Sequence, residues 1–123
     1  MQTMDSHTNI YEGKSTKFAI MVGNVEHFKA AVFTADQLLK IGENFTIEVV
    51  AVGELVKDIA DDTSLFEDIN KAEALGLKLT VCEVAMASNK VSKNKLDKRM
   101  TTIRNGWIHM FELKDKGYNT LST

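Results

Sequence analysis

The strongest constraint on this chain is the order in which short apolar runs and helical stripes alternate along it. Phe18-Ala19-Ile20-Met21-Val22 is a continuous apolar run of strand length closed by Gly23, the pattern of a strand buried on both faces. Phe28, Ala31, Val32, Ala35, Leu38 and Leu39 then recur at helical spacing, with Asn24 where an N-cap would sit and Gly42 as a stop. Thr46 to Val52, rich in β-branched residues and closed by Gly53, reads as a second strand, with a short helix expected from Glu54 to about Ala60. Ser64-Leu65-Phe66-Glu67 fits a capping box, and Leu65, Ile69 and Ala72 form one stripe before Gly76. Leu77 to Cys82 is a third strand feeding a short helix over Val84 to Ser88. Thr101 to Ile103 is a short strand, Trp107 to Lys116 a helix and Tyr118 to Leu121 a last strand.

Strands alternating with helices predict a parallel α/β sheet covered by helices on both faces, since each crossover must carry the chain back over the sheet. At 123 residues the chain suits one domain. Residues 1–16 are polar and without helical or strand period, and are expected to form a flexible leader ahead of a domain at 17–123.

Several chemistries are excluded. A single cysteine forms no internal disulfide and no CxxC pair, and no proline is present to supply a thioredoxin-type cis loop. His7, His27 and His109 show no metal spacing, and the glycines are too far apart for a dinucleotide fingerprint or a P-loop, so no cofactor is expected. A net charge of −2 gives no global drive toward nucleic acid, and no run of ~18 apolar residues or signal-peptide pattern occurs. A soluble cytoplasmic protein with no membrane partner is the expectation.

In an open parallel sheet, ligands sit beyond the carboxyl ends of the strands. That rule selects Gly23, Asn24, Glu26 and His27 after the first strand, Gly53 and Glu54 after the second, Cys82 and Glu83 after the third, and Arg104, Asn105 and Gly106 after the fourth. Cys82 is the one strong nucleophile among them. A helix starting just after it would aim backbone N–H groups at the sulfur and favour the reactive thiolate; alternatively the thiol is a small packed hydrophobe. Glu83 opposes activation: a charge ~7 Å away is worth about 0.6 kcal/mol in water and about 2.4 at an effective dielectric of ~20, against ~0.3 to 1 kcal/mol from a helix dipole. Arg104 or a protonated His27 would be the cation that offsets it.

Charge is segregated. Glu54 to Glu73 carries seven acids against two lysines. Cys82 to Arg104 carries six bases (Lys90, Lys93, Lys95, Lys98, Arg99, Arg104) against Glu83 and Asp97. Two solvated faces or complementary contacts would both account for this, whereas nucleic acid is disfavoured because no aromatic residue interleaves the basic run. Asp61-Asp62 reads as solvated loop. Trp107, Ile108, Met110, Phe111 and Leu113 make the last helix apolar over more than one face, which suggests a subunit interface or deeper burial.

Over about Lys17 to Leu121 the layout resembles the DsrE/DsrF-like (YchN-like) family of small sulfur-relay proteins. The corresponding features are Phe18 to Val22, Ala30 to Leu39, Ile47 to Gly53, Ala74 to Gly76, Thr80-Val81-Cys82, Thr102-Ile103, Gly106 to Leu113 and Gly117-Tyr118. The resemblance implies a three-layer α/β/α sandwich around a mostly parallel sheet of about five strands, in homo-oligomers (dimer, trimer or hexamer). It further implies that Cys82 accepts sulfane sulfur as a persulfide and exchanges it with donor and acceptor proteins, in the manner of a sulfurtransferase. The family's Gly-Asn after the cysteine is replaced here by Glu83-Val84. A non-catalytic oligomeric binding or regulatory module of the same fold, with Cys82 structural, is the alternative.

Overall fold

The computed structural model describes residues 11–123. Five strands, β1 (Lys17–Val22), β2 (Thr46–Ala51), β3 (Lys78–Cys82), β4 (Thr101–Ile103) and β5 (Asn119–Ser122), pair in parallel in the order β4-β3-β2-β1-β5. Between them run helices α1 (Val25–Ile41), α2 (Leu55–Asp61), α3 (Phe66–Ala74), α4 (Glu83–Ser88) and α5 (Gly106–Asp115).

The strand order explains the layers. From β1 to β4 the chain steps steadily in one direction, so right-handed crossovers put α1 to α4 on one face. The return from β4 to β5 across the whole sheet puts α5 alone on the other.

Register separates the side chains accordingly. Phe18, Ile20, Val22, Ile47, Val49, Ala51, Leu79 and Val81 share the four-helix face and are all buried. Phe28, Ala31, Val32 and Ala35 of α1, Leu55, Val56 and Ile59 of α2, Ile69 and Ala72 of α3, and Ala85 and Met86 of α4 are the buried residues of the helices on that side. The α5 face carries Ala19, Met21, Glu48, Val50, Thr80, Thr101, Cys82 and Ile103. Among the described residues the buried polar side chains, Glu48 and Thr80, both lie on this face.

Local chemistry sets the element ends. Asn24 caps α1 as expected, its Oδ1 accepting from the His27 N–H at 2.8 Å. The capping box at Ser64 does not form. Asp62 accepts from the Ser64 N–H at 2.9 Å and starts a 3₁₀ turn over Thr63–Leu65 that leads into α3, since a carboxylate two residues ahead reaches the free amides first. Asp62 is therefore a cap, not merely solvated loop. After α3 and α5, Gly76 (φ 76°) and Gly117 (φ 91°) turn left-handed. Leu77 then donates back to Ala72 O, and Tyr118 to Leu113 O, both at 3.0 Å, which closes each helix with a Schellman turn.

The leader expected over residues 1–16 falls outside the described residues for 1–10. Residues 11–16 are joined to the domain. The Tyr11 ring packs edge-on against Phe18 and Phe45, and Thr46 N–H donates to Thr16 O at 2.9 Å. Among the described residues no helix is long and apolar enough to cross a membrane.

Candidate functional site

Cys82 ends β3 on the α5 face, in register with Ile103, and is 2% exposed. A hydrogen bond reaches its sulfur from an unexpected direction. Cys82 makes no capping bond to α4, the short helix that follows it. Instead the Gly106 N–H, the first of α5, donates to Cys82 Sγ at 3.2 Å. Asn105 prepares this, because its side-chain oxygen accepts from Trp107 N–H at 2.9 Å and Ile108 N–H at 3.3 Å and leaves the Gly106 amide for the thiol.

Position 106 has no space for a side chain. A Cβ there would lie 2.8 Å from Val52 Cγ1, 3.2 Å from Cys82 Cβ and 3.3 Å from Val50 Cγ1. Glycine lets the start of α5 lie directly over the cysteine.

The other sequence candidates divide into two groups. Glu83, Arg104 and Asn105 do gather at the Cys82 end of β3 and β4. The Glu83 carboxylate accepts from Thr102 Oγ1 at 2.8 Å, and Arg104 O accepts from Val84 N–H at 3.2 Å, tying the end of β4 to the start of α4. The hydrogen bond to the thiol does not come from Arg104, the cation expected to offset Glu83. Among the described residues the bond to Sγ comes from Gly106, while Arg104 lines a shallow cavity of about 210 Å³ with Ile103, Asn105, Ile108, His109 and Glu112.

Asn24 and His27 do not join the group. They sit at the start of α1 beyond β1, two strands from β3, a separation of roughly 10 Å at the usual interstrand spacing. Asn24 is spent on its cap, and its Nδ2 lies 3.3 Å from His27 Nδ1. His27 lines a small cavity with Ile20, Ala30, Thr34, Leu121 and Thr123, on the β5 side of the sheet. Asn24 and Asn105 thus each commit the side-chain oxygen to capping a helix.

A buried polar cluster under α5 escaped the sequence reading. Glu48 of β2 is 2% exposed and Thr80 of β3 is 1% exposed. Glu48 Oε2 accepts from Thr80 Oγ1 at 2.7 Å and meets His109 Nε2 of α5 at 2.7 Å. One acid inside the β-branched run Ile47-Glu48-Val49-Val50 was the available signal, because a central parallel strand has no solvated face to place it on.

In the basic segment, Arg99 is fully engaged. It bonds Asp97, Glu73 and Asn70, and its side-chain hydrogen bonds hold the Asp97 carboxyl down to about 2. Among the described residues no group of three His, Cys, Asp or Glu could hold a metal ion.

Sheet order, helix layers and a thiol at the carboxyl edge together define a small parallel α/β protein of YchN-like fold. Protein MTH1491 of unknown function from Methanobacterium thermoautotrophicum superposes with a TM-score of 0.72 at 12% identity, covering 89% of this chain and 100% of that one. Conserved protein BT1422 of unknown function from Bacteroides thetaiotaomicron gives 0.72 at 20% identity, over 88% and 95%. The ychN protein from E. coli gives 0.70 at 10% identity, over 89% and 100%. No protein-family model and no curated protein matches the sequence. At these identities the likeness is one of fold.

Proposed function

We propose that this protein carries sulfane sulfur in a DsrE-like relay, with Cys82 as the acceptor, in a reducing compartment such as the cytoplasm. The observation that carries the reading is the Gly106 N–H donated to Cys82 Sγ at the carboxyl edge of a parallel sheet. In the reaction the Cys82 thiolate attacks the outer sulfur of a donor persulfide. A new S–S bond forms on Cys82, the donor's S–S bond breaks, and the donor leaves as a thiolate that takes up a proton. A partner thiol removes the sulfur by the same exchange, with no net oxidation. Because Cys82 is 2% exposed, the amino end of α5 must lift for either step.

That same burial favours a second reading, a non-catalytic oligomeric module in which the thiol is packing. Intact-mass spectrometry after incubation with a persulfide donor separates the two. The carrier gains the mass of one sulfur atom and Cys82→Ser gains none; a wild-type chain that gains nothing, or a variant that gains as much, removes the carrier reading.

A homo-oligomer fits both readings. Trp107, Ile108 and Phe111 are 60%, 56% and 68% exposed on the outer side of α5, while Met110 and Leu113 fill its inner side. Aromatic side chains bury ~150 to 250 Å² each, so this stripe would supply the centre of an interface of about 800 Å² per partner. The occupant is a second copy of this chain.

A further inference from the structure

The polar cluster under α5 has no part in sulfur exchange as written, yet it lies one helical turn from the amide that covers the thiol. We infer that Glu48 and His109 form a latch that holds α5 closed over Cys82 and so sets the access of reagents and partners to its sulfur. Only the purpose of this access rests on the proposed carrier role.

Glu48 lies in the middle strand of the sheet, and its carboxylate is withdrawn from water. A buried carboxylate is tolerated only when paired. Thr80 supplies one hydrogen bond from within the sheet; the bond from another layer is His109 Nε2, at 2.7 Å. His109 and Gly106 are three residues apart on α5, so both face the sheet along one side of the helix. Fixing His109 over Glu48 therefore fixes the Gly106 amide 3.2 Å from Sγ.

The rest of the helix holds weakly. Met110 and Leu113 are its buried large side chains, and Trp107, Ile108 and Phe111 point outward. Among the described residues no other helix shares this face.

The pairing also makes opening reversible. If α5 lifts, the His109–Glu48 hydrogen bond is lost but the carboxylate regains its hydration, which offsets part of the loss. Apolar side chains of similar volume would clamp the helix with no such compensation. The charged groups around His109 are Glu48 from β2, Glu112 on its own helix at 3.8 Å from Nδ1, and Arg104 in the adjoining cavity; Lys78 of β3 pairs in register with Glu48.

The test is the rate of alkylation of Cys82 by a small iodoacetamide reagent in the folded full-length chain, at one pH, with global stability measured in parallel by denaturant unfolding. Glu48→Gln and His109→Gln each raise the rate about tenfold or more beyond what their change in global stability explains, as expected when a hydrogen bond to a charged group is weakened. The double variant Glu48→Met/His109→Leu, which replaces the pair by packing, lowers the rate below wild type. Rates unchanged in the single variants, or following global stability in all three, overturn the latch. Alkylation needs no sulfur donor, so failure of persulfide loading would refute the carrier role and leave this result to be judged separately.

Discussion

Replacing Gly106 by alanine tests how closely α5 is seated on the cysteine. The added methyl would lie 2.8 Å from Val52 Cγ1, short of the ~3.5 to 4.0 Å optimum for carbon atoms by about 0.7 Å or more. Its other neighbours, Cys82 Cβ at 3.2 Å and Val50 Cγ1 at 3.3 Å, close the alternative directions. Overpacking of this kind costs ~1 to 3 kcal/mol. Alanine returns some helix propensity, at most ~1 kcal/mol and less at the first helical position. The net expectation is a loss of about 1 to 2 kcal/mol, a fall of roughly 0.5 to 1 M in the urea midpoint at ordinary m-values. A double-mutant cycle with Val52→Ala locates the cause. With the Val52 methyls removed the new Cβ has room, so the double variant should be less destabilised than the sum of the single ones by at least ~0.5 kcal/mol. Gly106→Ala as stable as wild type, or strict additivity in the cycle, would show that α5 is not seated this closely.

Two further predictions concern other parts of the surface. Arg99 holds the Asp97 carboxyl at about 2, below its ordinary 3.8, so the stability from this contact is present above about pH 4 and is lost as pH falls toward about 2; Arg99→Gln should return the carboxyl toward its ordinary range and flatten that acid limb. An Asp97 titration by NMR that is the same in both proteins would contradict this. Charging the outer stripe of α5 with Trp107→Glu and Phe111→Lys should shift sedimentation from oligomer to monomer, and a wild-type chain that is monomeric at every concentration would rule out the stripe as an interface between copies.

The fold was legible because its signals are local and repeated. Phe18 to Val22 is apolar throughout and Thr46 to Val52 is so but for Thr46 and Glu48, so both read as interior strands, and the Phe28 to Leu39 stripe reads as a helix laid on one side of them. The site was legible only in part. Cys82, Glu83, Arg104 and Asn105 met because β3 and β4 are neighbours, whereas Asn24 and His27 fell away because strand order, which sequence alone leaves open, puts β2 between β1 and β3. Gly106 belonged to the same predicted edge, but its role as donor to the thiol was not legible, because it follows Cys82 by 24 residues and bonds it only where the start of another helix lies over the neighbouring strand. Ser64 and Asp62 show a finer failure, where two good caps lie two residues apart and short-range geometry chooses between them.

The two edges of the sheet bear on how copies of this protein can meet. Its rims are β4 and β5, three and four residues long, while β1 and β2 in the interior have six each. A rim that short offers an incoming strand too few unpaired amides and carbonyls to grow upon. Joining of copies by strand addition is thereby discouraged, and the association proposed through the outer stripe of α5 would be free to stop at a closed assembly instead of running on into a fibre.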